Sequence, residues 1–150
     1  MLYSQPVADV HGGMPRSDPK AADRTLRVPT PHRTILIVDD DEPFRRMMGV
    51  ALRFAGFQTR EARSGMEALA MLDRWRADLV VLDLVLPGVD GLAVREELAS
   101  HPGTRTLPVV IVTGSQLNLD GVDAACILRK PFTMDELVTA VRNCLRISPG

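Results

Sequence analysis

Residues 35–42 read ILIVDDDE: four branched apolar residues run straight into Asp39, Asp40, Asp41 and Glu42. Adjacent carboxylates repel each other, and in a partly dehydrated place that repulsion raises a pKa or demands a cation. Further along, apolar runs again end in polar residues. DLVVLDL carries Asp83, LPVVIVTG carries Thr113, and CILRKPF carries Lys130. Clustered carboxylates with few other ligand types suit a hard, oxygen-seeking cation, and Mg2+ keeps several waters and leaves positions open. Lys130 is the only lysine between residues 34 and 150 in a chain that otherwise uses arginine. A compact ammonium on a flexible stem does a different job from a planar guanidinium. Beside a carboxylate and a metal it can neutralise a phosphoryl oxygen, and the Thr113 hydroxyl can donate to another. The sum is a phosphoryl site with a carboxylate as acceptor.

Such a site needs elements that bring four distant residues to one place. From Thr34 the sequence alternates strand and helix. TILIVDD is an apolar run of strand length, and Phe44, Met47, Met48, Ala51 and Ala55 of the next segment have the spacing of one helical face. Pro43 fits the first turn of that helix and Gly56 its end. FQTREA is a short second strand. Ser64 to Glu67 is a capping box opening a second helix. DLVVLDL is a third strand, PGVDG is turn chemistry, and GLAVREELAS is a helix. LPVVIVTG and CILRKPF hold the fourth and fifth strands. Thr133 to Glu136 is a second capping box, and Met134, Leu137, Val138, Val141 and Leu145 form one face of the last helix. Three strands are apolar on both faces, which predicts an α/β protein with a parallel sheet covered by helices on each side. In such sheets the reactive crevice lies beyond the carboxyl ends of the strands, where strand order reverses. Asp39 and Asp40, Asp83, Thr113 and Lys130 all occupy such ends.

Composition narrows the rest. The formal net charge is −1, which gives neither a nucleic-acid footprint nor an acidic tail. No apolar run reaches the ~20 residues of a membrane helix, and the first residues lack the charged head and apolar stretch of a signal peptide. Cys126 and Cys144 sit in apolar patterns and read as packing thiols, which suits a cytoplasmic address. His11, His32 and His101 stand far from other ligand types in sequence and read as surface residues. Residues 1–33 hold five prolines, a Gly12–Gly13 pair, five basic and three acidic residues, and no periodicity. They read as a disordered leader. The folded domain is expected over 34–147, with a tail at 148–150.

Each site residue also has an ordinary structural use. Asp41 could be a helix N-cap, Asp83 a turn former, Thr113 a β-branched strand residue, and Lys130 a solvated corner before Pro131. Four strand ends in the right order make a stronger case than any one of them. Over residues 34–147 the motifs ILIVDDDEPFRR, DLVVLDLVLPGVDGL, PVVIVTG and LRKPFTMDEL match, in order and spacing, the receiver domain of two-component response regulators, a CheY-like superfamily that the sequence resembles. The resemblance implies a flavodoxin-like (βα)5 fold with strand order 2-1-3-4-5. It implies that Asp83 takes a phosphoryl group from a histidine kinase or a histidine phosphotransfer protein. It implies Mg2+ on Asp40, Asp83 and the backbone carbonyl of Val85, with Asp39 acting through water. Thr113 and Lys130 would contact the phosphoryl oxygens, and the Lys130–Pro131 bond would be cis. The chain would take part in its own phosphotransfer and dephosphorylation without being an enzyme in the turnover sense.

Two departures from the family bear on signalling. The aromatic residue usual three positions before the lysine is Ile127, which removes the inward-turning ring from a switch built on Thr113 and position 127. Only 16 residues separate Thr113 from Lys130, so a fourth helix has room for roughly two turns, over Asp120 to Ala125. That surface is a common output face in the family, and a weak homodimer or an unidentified protein target would use it. No second hydrophobic pattern and no basic recognition helix follow, so the expectation is a stand-alone regulator or relay intermediate that contacts neither nucleic acid nor membrane. Two other readings compete. A haloacid-dehalogenase-type phosphatase also uses an aspartyl-phosphate, a Thr and a Lys. It places its nucleophile in Asp-x-Asp-x-Thr at the first strand, where this chain has DDDEPF. A receiver-like docking module that is never phosphorylated would not need the intact acid, Thr and Lys set.

Overall fold

The computed structural model describes residues 32–86, 91–114, 118–122 and 124–146. Residues 1–31, 87–90, 115–117, 123 and 147–150 lie outside them, and with them most of the expected leader, most of the expected PGVDG turn and the expected tail. The elements run β1 (Thr34–Val38), α1 (Glu42–Phe54), β2 (Gln58–Ala62), α2 (Gly65–Arg74), β3 (Leu79–Asp83), α3 (Gly91–Ser100), β4 (Val109–Thr113), β5 (Cys126–Arg129) and α4 (Met134–Leu145). The strands form one parallel sheet in the order β2-β1-β3-β4-β5.

Strands β3 and β4 are buried along their whole length, and β1 from its second residue. Successive side chains point to opposite faces, so each strand feeds two cores. Ile35, Ile37, Val81, Val110 and Val112 pack with Met48 and Leu52 of α1 and Leu137 and Val141 of α4. Leu36, Val38, Val80, Leu82 and Ile111 pack on the other side with Ala68 of α2 and Val94 and Leu98 of α3. Each such side chain, fully buried, contributes about 1.5–3 kcal/mol. The edge strands are half-exposed, and β2 holds Arg60 and Glu61 where a central strand would hold valines.

The local signals act as their chemistry requires. Asp41 is the N-cap of α1, with Pro43 in the first turn. Ser64 caps α2 by accepting from Glu67 N–H at 3.1 Å, but the Glu67 carboxylate reaches back to Arg63 N–H, one residue before the cap. Thr133 and Glu136 make the full reciprocal box of α4. Gly56, at φ +102°, lets the chain leave α1. The face expected for α1 packs on the core through Phe44, Met48 and Ala55 and departs from the expectation at Met47. Met47 is 47% exposed, and the buried side is Arg45, Met48, Gly49 and Leu52. The stripe is turned because Phe44 and Met48 meet the sheet from one side and Leu52, not Met47, completes the next turn.

The short fourth helix expected over Asp120 to Ala125 does not form among the described residues of that stretch. They make a turn at Asp120–Gly121, with Gly121 at φ +82°. Asn118 Oδ1 accepts from Asp120 N–H at 2.9 Å, and Val122 N–H donates to Leu119 O at 3.0 Å. A left-handed residue cannot continue a right-handed helix. Leu119, 5% exposed, fills the core position that a helix face would have filled.

Candidate functional site

The carboxyl ends of β1, β3, β4 and β5 meet at one edge of the sheet. Asp39 N–H donates to Ala62 O at 3.1 Å, carrying the β1–β2 ladder one residue past the strand. With the ladder continued, Asp39 stays in the strand's alternation on the same face as Ile35 and Ile37, and it is fully buried. Its Oδ1 accepts from Asp41 N–H at 2.9 Å. Asp41 Oδ1 in turn accepts from Phe44 N–H at 3.3 Å, so the acidic loop and the start of α1 are tied together. Asp41 therefore serves the helix, while Asp40, next to it, is exposed.

Asp83 closes β3 and is 5% exposed. Its Oδ1 accepts from Val85 N–H at 2.9 Å, which places Val85 directly beside the acids. Lys130 Nζ approaches Asp83 Oδ2 at 3.4 Å and Asp39 Oδ2 at 3.7 Å. Lys130 N–H donates to Thr113 O at 2.9 Å, which joins the ends of β4 and β5, and the Lys130–Pro131 bond is cis. Thr113 is fully buried at its strand end, and Ile127 is 37% exposed on β5. Asp39, Asp40, Asp83, Val85, Thr113 and Lys130 thus lie at this edge, whereas Ile127 lies further back on β5, paired with Ile111 of β4.

One carboxylate oxygen of Asp39, Asp40 and Asp83 each lies within 4.8 Å of the others, the one such group of three among the described residues. Asp39 Oδ2 is buried and accepts no hydrogen bond. Burial pushes the Asp39 carboxyl up from the ordinary 3.8 to about 6. The neighbouring Asp83 and Asp40 charges add to the rise, and the Asp41 N–H and Lys130 oppose it. An orphaned buried carboxylate oxygen in a set of hard oxygen donors is what a small divalent cation would satisfy. The residues present fit Mg2+.

Three further residues shape the site. Arg45 is 6% exposed, donates from Nε to Glu61 Oε1 at 2.9 Å and from its terminal nitrogen to Asp39 O at 2.8 Å. It braces the acidic loop from the β2 side. Its signal lay in the helical spacing Arg45, Met48, Leu52, which a reading of apolar residues alone, from Phe44 to Ala55, passed over. Gly91 opens α3 against the end of β3: its N–H donates to Leu84 O at 3.1 Å. A Cβ there would come within 2.4 Å of Leu84 Cα and 2.7 Å of Asp83 O. Gly91, the last residue of PGVDG, is therefore needed for close approach, which a turn reading alone does not predict. Phe44 lies under Lys130, its ring centroid 4.5 Å from Nζ.

The model of the response regulator receiver domain family matches residues 35–142. The chain belongs to this family. Its receiver domain is 36% identical over 124 residues to the phosphate regulon transcriptional regulatory protein PhoB of Pseudomonas aeruginosa, covering 79% of this chain and 54% of that one. The chain spans about half the length of the curated relatives it matches. Among solved structures, the signal receiver domain of a signal transduction histidine kinase from Syntrophus aciditrophicus is similar at 31% identity and a TM-score of 0.71, over 76% of this chain and 90% of that one. Response regulator protein TrrA of Thermotoga maritima, solved in complex with Mg2+-BeF, is similar at 28% identity and a TM-score of 0.68, over 75% and 98%. The fold is the flavodoxin-like doubly wound sheet of receiver domains, and the family's place is in two-component phosphorelay signalling.

Proposed function

We propose that residues 34–147 accept a phosphoryl group on Asp83 from a histidine kinase or histidine phosphotransfer protein in a Mg2+-dependent reaction. An oxygen of the Asp83 carboxylate bonds to phosphorus as the P–N bond of the donor phosphohistidine breaks. The electron pair stays on the imidazole, which takes up a proton. Water later attacks phosphorus, and the carboxylate leaves to give inorganic phosphate. Asp40, Asp83 and the Val85 carbonyl, with Asp39 through water, would hold Mg2+, which when bound lets an anionic donor approach an anionic nucleophile. Lys130 neutralises one phosphoryl oxygen and Thr113 donates to another. The position of Lys130 between Asp83 and Asp39 supports this, because an ammonium already at the acceptor needs little reorganisation. Thr113 carries the switch that changes partner binding, without the aromatic ring that Ile127 replaces. The domain undergoes its own phosphotransfer and hydrolysis, acting in the cytoplasm on a protein partner.

The observation that carries the proposal is the triad of carboxylates at one sheet edge with Asp83 as its strand-end member in reach of Lys130. The experiment is intact mass before and after acetyl phosphate and Mg2+, with Asp83→Asn beside the wild type. A base-labile phosphate adduct on wild type and none on the variant is expected. Equal labelling of both proteins sinks the assignment of Asp83, and labelling of neither makes the domain a docking module.

A further inference from the structure

We infer that Phe44 is a positioning residue for Lys130, an assignment that rests on the phosphoacceptor reading above. Two carboxylates and a ring stand near the Lys130 ammonium. Asp83 Oδ2 is at 3.4 Å, Asp39 Oδ2 at 3.7 Å, and the Phe44 ring centroid at 4.5 Å. The two carboxylates stand on the acid side, and the ring gives the ammonium a floor. The negative face of an aromatic ring attracts a cation at this distance, and it does so without taking a hydrogen bond. An ammonium has three N–H donors. A polar side chain at position 44 would take one of them, whereas the ring holds the charge and leaves the donors to Asp83 and an arriving phosphoryl oxygen.

The ring is itself fixed from two directions. Phe44 N–H is held by the Asp41 cap at 3.3 Å, so the loop that carries Asp39 and Asp40 also sets where the ring stands. Phe132, two residues past Lys130, meets the Phe44 ring edge to face at 5.6 Å and 70°. Both rings pack against the α1–α4 side of the core. The aromatic pair therefore couples the start of α1 to the turn after β5, the two segments that must keep register for the ammonium to face the acceptor. A flexible lysine stem, 31% exposed, gains from Phe44 a restriction that its own backbone cannot supply.

The test compares wild type with Phe44→Leu and Phe44→Met, which keep an apolar side chain, and Phe44→Tyr, which keeps the ring face. The chain has two lysines, Lys20 and Lys130, so lysine-selective 15N and 13C labelling gives two sets of side-chain signals, assigned with Lys130→Arg. In the protein without Mg2+ or phosphodonor, the Lys130 ε-methylene protons should be shifted upfield by the ring in wild type and Phe44→Tyr, and should move to the Lys20 position in Phe44→Leu and Phe44→Met. With acetyl phosphate at saturating Mg2+, the Leu and Met variants should phosphorylate roughly threefold to tenfold more slowly, with an unchanged Mg2+ midpoint, and Phe44→Tyr should restore the rate. Unchanged Lys130 shifts in both aliphatic variants, or a Tyr variant as slow as Leu, overturns the inference and leaves Phe44 a packing residue. A wild type that shows the ring-shifted lysine and never phosphorylates overturns the rate claim together with the acceptor reading. A wild type that phosphorylates on Asp83 with an unshifted lysine overturns the positioning alone.

Discussion

Replacing Asp39 with Asn should make the metal-free domain more stable at alkaline pH while weakening its hold on Mg2+. Asp39 is fully buried, its Oδ2 accepts no hydrogen bond, and its carboxyl is pushed from 3.8 to about 6 by burial and by Asp83 and Asp40. A folded pKa above the unfolded value means that the folded state binds more protons between the two. Stability from this group is therefore greatest below the unfolded pKa, falls as pH rises, and is fully lost above about 6. Two pKa units correspond to roughly 3 kcal/mol. Asn keeps an oxygen for the Asp41 N–H and removes the charge, but its buried amide gives back about 1 kcal/mol for donors without partners. The net expectation is a gain of about 1–2 kcal/mol at pH 8 and none at pH 5. Urea unfolding at both pH values in EDTA, followed by the fluorescence of Trp75, the chain's one tryptophan, measures this directly. Saturating Mg2+ should then stabilise wild type more than Asp39→Asn. A stability difference that is the same at pH 5 and pH 8, or that favours wild type at pH 8 in EDTA, refutes the reasoning.

Asp40→Ala should weaken Mg2+ binding by at least about tenfold, because the remaining ligands are mostly water. It should leave stability within about 0.5 kcal/mol, since the side chain is exposed; an unchanged Mg2+ midpoint in an NMR titration would count against direct ligation. Arg45→Met removes the partner of Glu61 and the donor to Asp39 O. A loss of about 2–3 kcal/mol in urea unfolding, with weaker Mg2+ binding, is expected, and a neutral result would mean that the pair does not brace the loop. Gly91→Ala forces a Cβ onto the backbone of Leu84 and Asp83 and should cost about 2–3 kcal/mol and slow phosphorylation by acetyl phosphate. A variant that melts and labels like wild type would show that α3 can move aside freely.

The fold was legible where one signal dominated. β1, β3 and β4 are runs of branched apolar residues of strand length because they are buried on both faces. Caps at Asp41, Ser64 and Thr133 are local hydrogen bonds between residues three apart, so their chemistry is written in consecutive letters. Asp39, Asp83, Thr113 and Lys130 could be grouped before any coordinates because parallel strands bring their carboxyl ends to one edge.

Tertiary structure decided what depends on contacts distant in sequence. Arg45 is buried only because Glu61 and the Asp39 carbonyl meet it, and a charged residue read alone belongs on the surface. Met47, apolar and in helical spacing, is exposed because the rotation of α1 is set by Met48 and Leu52 against the sheet. The β4–β5 connection turns at Gly121 and buries Leu119, where residue count allowed a helix. Sequence determined by itself that carboxylates would stand at the end of β1. That this carboxylate lacks a hydrogen bond on Oδ2, and that one ammonium is shared between two acids and a phenyl ring, follows only from the approach of strand ends 39, 83 and 130. Side-chain chemistry is a property of a residue, whereas desolvation and charge coupling are properties of its neighbours, and those exist only after folding.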